Sequence, residues 1–197
     1  MPARRSTMNW DEIPGWFRWR VAQQEAVDHF GDGSRFVEVG LFLGRSVCSL
    51  ADVVAASGKH ISIVGVDTCR GSGVEGPVPG DYHAAAVQQG GGTFAGFLHR
   101  HIVQCGFADA ITVVIGDSVT TAGLFPDASL DWVHLDARHD RLHLTSDIRA
   151  WLPKVRPGGW LSGDDYDSRD WPEVVATVAD ELPGAEPWDD CQWRLRL

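Results

Sequence analysis

Hydrophobic positions along the chain switch repeatedly between two spacings, and the switches divide it into elements. Short apolar runs rich in β-forming residues cover Phe36 to Gly40, Ile61 to Asp67, Ile111 to Ile115, Leu130 to Leu135 and Trp160 to Ser162, and each predicts a strand. Between them the spacing becomes helical. Val47, Leu50, Ala51 and Val54 share one face, as do Phe94, Phe97, Leu98, Ile102 and Cys105, closed by Gly106. Leu144, Ile148, Trp151, Leu152 and Val155 predict a helix stopped by Pro157-Gly158, and Pro172 opens another carrying Val174, Val175, Val178 and Leu182. At the front, 10–30 predicts an amphipathic helix with Pro14 near its start, and the tail Cys191 to Leu197 alternates like a closing edge strand. Strands alternating with helices imply an α/β fold, a three-layer Rossmann-like sandwich with a mostly parallel central sheet and helices on both faces.

One stretch breaks the alternation. From Arg70 to Gly92 the chain is glycine-rich, contains Pro77 and Pro79, and has no clear period. A loop this long predicts a lid or binding loop, and its place after the second strand favours a substrate lid. The 197 residues then form a single domain, with 1–33 as an N-terminal helical segment and 70–92 as the lid. Trp10, Trp16 and Trp19 are too many for one buried face; packing at a helix edge is the plainer reading, and a homodimer contact rests on composition alone.

The net charge of −10 argues against a nucleic-acid partner, and most of the acidic excess falls after residue 125. Cys48, Cys69, Cys105 and Cys191 form no CxxC pair, so neither zinc spacing nor a disulfide scaffold is indicated. No apolar run approaches membrane-spanning length, and Arg4 and Arg5 precede no signal-peptide core; a cytoplasmic protein is the expectation.

Candidate chemistry lies at the strand ends. Phe36 to Ser46 reads strand, glycine turn, helix start, with Glu38, Gly40 and Gly44 at the turn. That arrangement holds nucleotide-like ligands in α/β proteins, since glycines admit close backbone approach and an acid accepts from hydroxyl or amino groups. The other strands end in or beside Asp67, Gly116-Asp117-Ser118, Asp136 and Asp164-Asp165. A single such acid is often only a helix cap or turn residue. Five along one edge predict a site where ligands bind such sheets, outside the carboxyl ends of the strands. Asp67 is placed to meet ribose hydroxyls, and Asp117-Ser118 an adenine amino group or, equally, the cap of the next helix. His134, inside a strand, reads as a packed core residue.

The segments VEVGLFLGRS, VGVDTCRGS, VVIGDS, DWVHLDARHD and WLPKVRPGGWLSGDDYD together resemble class I S-adenosylmethionine-dependent methyltransferases. More narrowly they are similar to the metal-dependent small-molecule O-methyltransferases of the macrocin type. The likeness covers roughly residues 34 to 180. It implies that Glu38, Gly40, Gly44, Ser46, Asp67, Gly116, Asp117, Ser118 and Asp136 contact the methyl donor. It further implies that Asp136, Asp164 and Asp165 hold Mg²⁺ and that His139 is the general base. Two positions depart from the family: Gly163-Asp164-Asp165-Tyr166 stands where Gly-His-Asp-Tyr is frequent, and Asp136-Ala137-Arg138-His139 where Asp-Gly-Asp-His is frequent. The expected partner is a hydroxylated small molecule, a sugar or natural product.

The chemistry is consistent with that set. Methyl transfer needs an acceptor oxygen brought into line and relieved of its proton. Hard oxygen donors suit Mg²⁺ better than zinc, and a histidine titrates near neutral pH. A nicotinamide-dependent oxidoreductase on a similar sheet stays open, although it calls for Gly-x-Gly-x-x-Gly where only Gly40 and Gly44 stand. So does a binding protein that keeps the donor cleft without turnover.

Overall fold

The computed structural model describes residues 7–74 and 80–197. Its strands are β1 (Arg35–Val39), β2 (Ser62–Asp67), β3 (Ile111–Ile115), β4 (Leu130–Leu135), β5 (Val155–Gly163), β6 (Glu186–Trp188) and β7 (Gln192–Arg196). The helices are α1 (Arg20–His29), α2 (Arg45–Ser57), α3 (Ala84–Gln89), α4 (Ala95–Gln104), α5 (Ser118–Ala122), α6 (Arg141–Trp151) and α7 (Pro172–Glu181). Among the described residues the strands form one sheet in the order β3-β2-β1-β4-β5-β7-β6. The first five pair in parallel, and β7 joins β5 and β6 antiparallel.

Two apolar clusters cover the two sheet faces, as the layered pattern requires. One packs Ala22, Ala26 and Val27 of α1 and Val47, Leu50 and Val54 of α2 against Phe36, Ile63, Trp132 and Trp160. The other packs Leu144, Ile148 and Trp151 of α6 and Val174 and Val178 of α7 against Val37, Val66, Val133 and Leu161. The first sheet face also carries a buried polar row. Glu38, His134 and Ser162 are register neighbours on β1, β4 and β5. Ser162 Oγ meets both Trp132 Nε1 and His134 Nδ1 at 2.8 Å. His134 lies against Trp19, ring centroids 3.9 Å apart, and burial pushes its pKa down to about 3, so it stays neutral. Ser162→Ala removes the partner of two buried groups together and is expected to cost roughly 2–3 kcal/mol, read by urea denaturation.

Several expected elements differ. The helix expected over 10–30 is a 3₁₀ turn at Trp10–Glu12, an irregular stretch, and then α1. Pro14 and Gly15 interrupt it, with Gly15 at φ +135°, and Arg45 Nη1 holds the Gly15 carbonyl at 2.7 Å, which lays the stretch over the start of α2. The three tryptophans there do not share a fate: Trp19 is buried, whereas Trp16 is 65% exposed. Pro157-Gly158 does not stop a helix but lies within β5, beside the register shift opposite Leu130 and Trp132; the helix ends earlier, at Trp151. The tail strand is not the sheet's edge, because β6 pairs outside it. Within the expected lid, residues 75–79 lie outside the described residues, and α3 occupies 84–89. Among the described residues no helix is long and apolar enough to cross a membrane.

Candidate active site

The carboxyl ends of β1, β2, β3, β4 and β5 open on one cleft of about 550 Å³, within the usual range for small-molecule sites. Its floor is the glycine turn after β1. Gly40 has φ +90° and packs so tightly on the next strand end that an added Cβ would stand 1.9 Å from the Asp136 carbonyl oxygen. Gly44, at φ +95°, is the N-cap of α2. Phe42 between them also lies in the left-handed region, at φ +46°, and its ring walls the cleft beside Trp16, stacked at 5.8 Å.

Asp67, the acid ending β2, holds this turn in shape. Its Oδ2 accepts from the Leu41 and Phe42 amides at 2.7 and 3.0 Å, and its Oδ1 from the Cys69 amide at 2.6 Å. The carboxylate therefore builds the floor of the cleft, and a sugar hydroxyl would meet only its remaining lone pairs. Glu38 is placed differently from the other strand-end acids. It is 1% exposed, turned beneath α2, where the Ser46 hydroxyl donates to Oε1. Burial raises its carboxyl well above the ordinary range, and the side chain lies under the floor without lining the cleft. Ser46 does line it.

At the β3 end, Asp117 is the N-cap of α5, with Oδ1 accepting from Thr120 N at 2.9 Å. The cap reading of Asp117-Ser118 is thus met, while both residues and Gly116 still line the cleft. Ser118 Oγ accepts from Trp151 Nε1 at 2.9 Å.

Asp136, His139 and Asp165 converge at the other end. His139 Nε2 stands 3.6 Å from Asp136 Oδ1 and 3.3 Å from Asp165 Oδ2, and its ring packs against Trp171 with centroids 4.7 Å apart. Asp165 sits at φ +58°, an uncommon backbone state for a residue with a side chain and one that concentrates at functional sites. Burial raises its carboxyl to about 7 against the pull of His139, with Asp164 and Asp136 adding repulsion. Asp164 is raised too, chiefly by burial; its Oδ1 takes the Asp165 amide at 2.6 Å and the Gln192 side-chain amide. These carboxylates suit a hard cation by donor type. Among the described residues, however, no group of three or more His, Cys, Asp or Glu side chains is arranged to hold a metal ion. Arg138, the departure beside His139, turns to Asp140 Oδ2 at 2.7 Å and the Ser72 carbonyl at 2.6 Å, joining the loops after β4 and β2.

Sequence reasoning missed Asp147, which lines the cleft from α6 and is 5% exposed. The signal was present: it falls among Leu144, Ile148 and Trp151, on the apolar face where an acid is out of place. Burial lifts its pKa to about 6 despite the Ser118 hydroxyl. A carboxyl raised by folding holds its proton longer in the native state, so stability falls as pH rises from the unfolded value to about 6 and then levels. Asp147→Asn should therefore flatten that segment of the stability–pH curve and stabilise the protein at pH 7 by roughly 2–3 kcal/mol, measured by denaturation across pH 4–8.

Comparison with known proteins agrees with this architecture. A family described as "Methyltransferase domain" matches residues 37–166. No curated protein sequence matches the chain. Among solved structures, the O-methyltransferase NovP superimposes with a TM-score of 0.65 at 15% identity, covering 90% of this chain and 78% of that one. The calicheamicin methyltransferase CalS11 gives 0.60 at 20% identity, with 90% and 76% covered. An S-adenosylmethionine-dependent O-methyltransferase from Thermotoga maritima gives 0.59 at 15% identity; 90% of this chain is covered, but only 55% of that larger one. At such identities the likeness is one of fold. The family match spans more than half of the chain, from β1 to Tyr166, and takes in the glycine turn, Asp67, Asp117, Asp136, His139 and Asp165. The chain belongs to the methyltransferase-domain family, on the α/β fold shared by S-adenosylmethionine-dependent O-methyltransferases.

Proposed function

We propose that this protein transfers the methyl group of S-adenosylmethionine to a hydroxyl of a small molecule, a sugar or natural product, with His139 as the general base. The observation that carries the reading is the position of His139, held between two acids in a cleft floored by a nucleotide-type glycine turn. Methyl transfer asks for those two halves. The donor's carbon is already activated by the sulfonium charge, so the chain's task is to align the acceptor oxygen and remove its proton. The His139 imidazole would receive the hydroxyl proton, and Asp136 and Asp165, which lie beside its Nε2, would stabilise the imidazolium that forms. Trp171 packs on the imidazole and limits its freedom.

By donor type alone Asp136, Asp164 and Asp165 would suit Mg²⁺, although these side chains are not arranged around an ion. Bound there, it would lower the pKa of an acceptor hydroxyl and fix its orientation.

The test is a thermal-shift series with S-adenosylmethionine, S-adenosylhomocysteine and NAD, followed by methyl transfer to a panel of hydroxylated acceptors with Mg²⁺ or with chelator. Stabilisation by the two sulfur compounds and turnover on a hydroxyl are expected. Stabilisation by NAD alone would overturn the reading, and turnover undiminished by chelator would remove the metal from it.

A further inference from the structure

Asp147 has no part in the chemistry proposed above, yet it is a buried carboxylate at the wall of the cleft. Its neighbours supply few donors. The Ser118 hydroxyl, which accepts from Trp151 Nε1, is the polar neighbour that favours its ionised form. The acids Asp117 and Asp140 repel its charge, and His143 favours it. A carboxylate offers about four lone-pair sites, and leaving a buried one short of donors is costly. Whatever fills this corner of the cleft is therefore selected to bring N–H or O–H groups.

The alternative acceptor in the same corner is less suited. Asp117 is exposed, and its Oδ1 is spent on capping α5. Exposed, water-screened acceptors discriminate weakly, whereas a buried one left unpaired by the wrong ligand discriminates strongly. If S-adenosylmethionine spans the cleft with its sulfonium toward His139, its purine falls at the far end, by the Gly116 turn and α6. The 6-amino group of adenine carries two N–H donors. We infer that Asp147 accepts a hydrogen bond from this amino group, so that α6, and not only the turn after β3, selects adenine as the base of the methyl donor; the inference rests on the methyl-donor reading above.

Calorimetry with S-adenosylhomocysteine and with S-inosylhomocysteine, which carries a 6-oxo group instead, tests it at pH 8. The wild-type protein is expected to prefer the adenosyl compound by about tenfold or more. Asp147→Asn, whose amide can donate to a 6-oxo group, should bring the ratio within about threefold of unity. Asp147→Ser, too short to reach, should lose affinity for the adenosyl compound without gaining the inosyl one. A wild-type protein that binds both equally would overturn the inference without any variant. An unchanged ratio in folded Asp147→Asn, or a ratio that collapses in Asp117→Asn instead, would overturn it too. Should the wild-type protein bind neither compound, the methyl-donor reading fails first and the inference falls with it.

Discussion

Gly40→Ala is expected to remove both donor binding and much of the stability of the protein. An alanine Cβ at this position would stand 1.9 Å from the Asp136 carbonyl oxygen, and that oxygen belongs to backbone fixed by Asp136 N donating to Val39 O at 2.7 Å. The φ of +90° adds a conformational penalty for any side chain. The turn cannot yield without pulling β1 from β4. Overpacking and left-handed strain together are expected to cost roughly 3–5 kcal/mol, a fall in Tm of about 10 °C. Gly96→Ala is the comparison. Gly96 lies on α4 with open space around it, so alanine there should stabilise by about 0.5–1 kcal/mol. Scanning calorimetry of the two variants, with and without S-adenosylhomocysteine, reads both signs. A Gly40→Ala protein with the wild-type Tm would show that this contact is not a constraint.

The largest catalytic effect is expected at His139. On the proposed chemistry, His139→Gln keeps the bulk and polarity of the side chain between Asp136 and Asp165 but cannot take up a proton. Losing a positioned general base lowers kcat by about 10²–10⁴-fold. Affinity for S-adenosylhomocysteine should stay within about twofold of wild type, because the interaction lost is made only as the acceptor reacts. The split between kcat and donor affinity separates this from a general disturbance of the cleft, which would move both. Retention of kcat within a few-fold would exclude His139 as the base.

The parts of the molecule most legible in its sequence were those governed by local pattern. Ile111–Ile115 and Leu130–Leu135 are strands over the residues that their apolar runs mark: β4 is buried along its whole length inside the parallel sheet, and β3, at the sheet's edge, is built of β-branched residues that suit a pleated, half-covered surface. Elements decided by tertiary contact were less legible. Proline and glycine at 157 and 158 read as a helix stop, yet they fall where β5 and β4 slip register, a feature that only pairing reveals. The front segment carries helical spacing, but Pro14 and Gly15 divide it and the Arg45 contact ties the irregular stretch to the start of α2. The site follows the same division. Periodicity brought Asp67, Asp117, Asp136, Asp164 and Asp165 to one edge, and all of them line the cleft. It carried no sign that Glu38 would turn down to Ser46, or that Asp67 would spend its oxygens on backbone amides, since both depend on where a turn folds back.

The position of β7 has a consequence for how the protein is made. This strand follows all the others in the sequence, yet in space it lies between β5 and β6. While the chain leaves the ribosome, β5 can pair with β4 on one side only, and its other edge stays open until residues 192–196 emerge. An apolar strand with a bare edge recruits other strands, including those of neighbouring nascent chains. β6 cannot close that edge, because its ladder partner is β7. The acidic run from 164 to 190 is the part of the chain that emerges during this interval, and its negative charge would hold such neighbours apart.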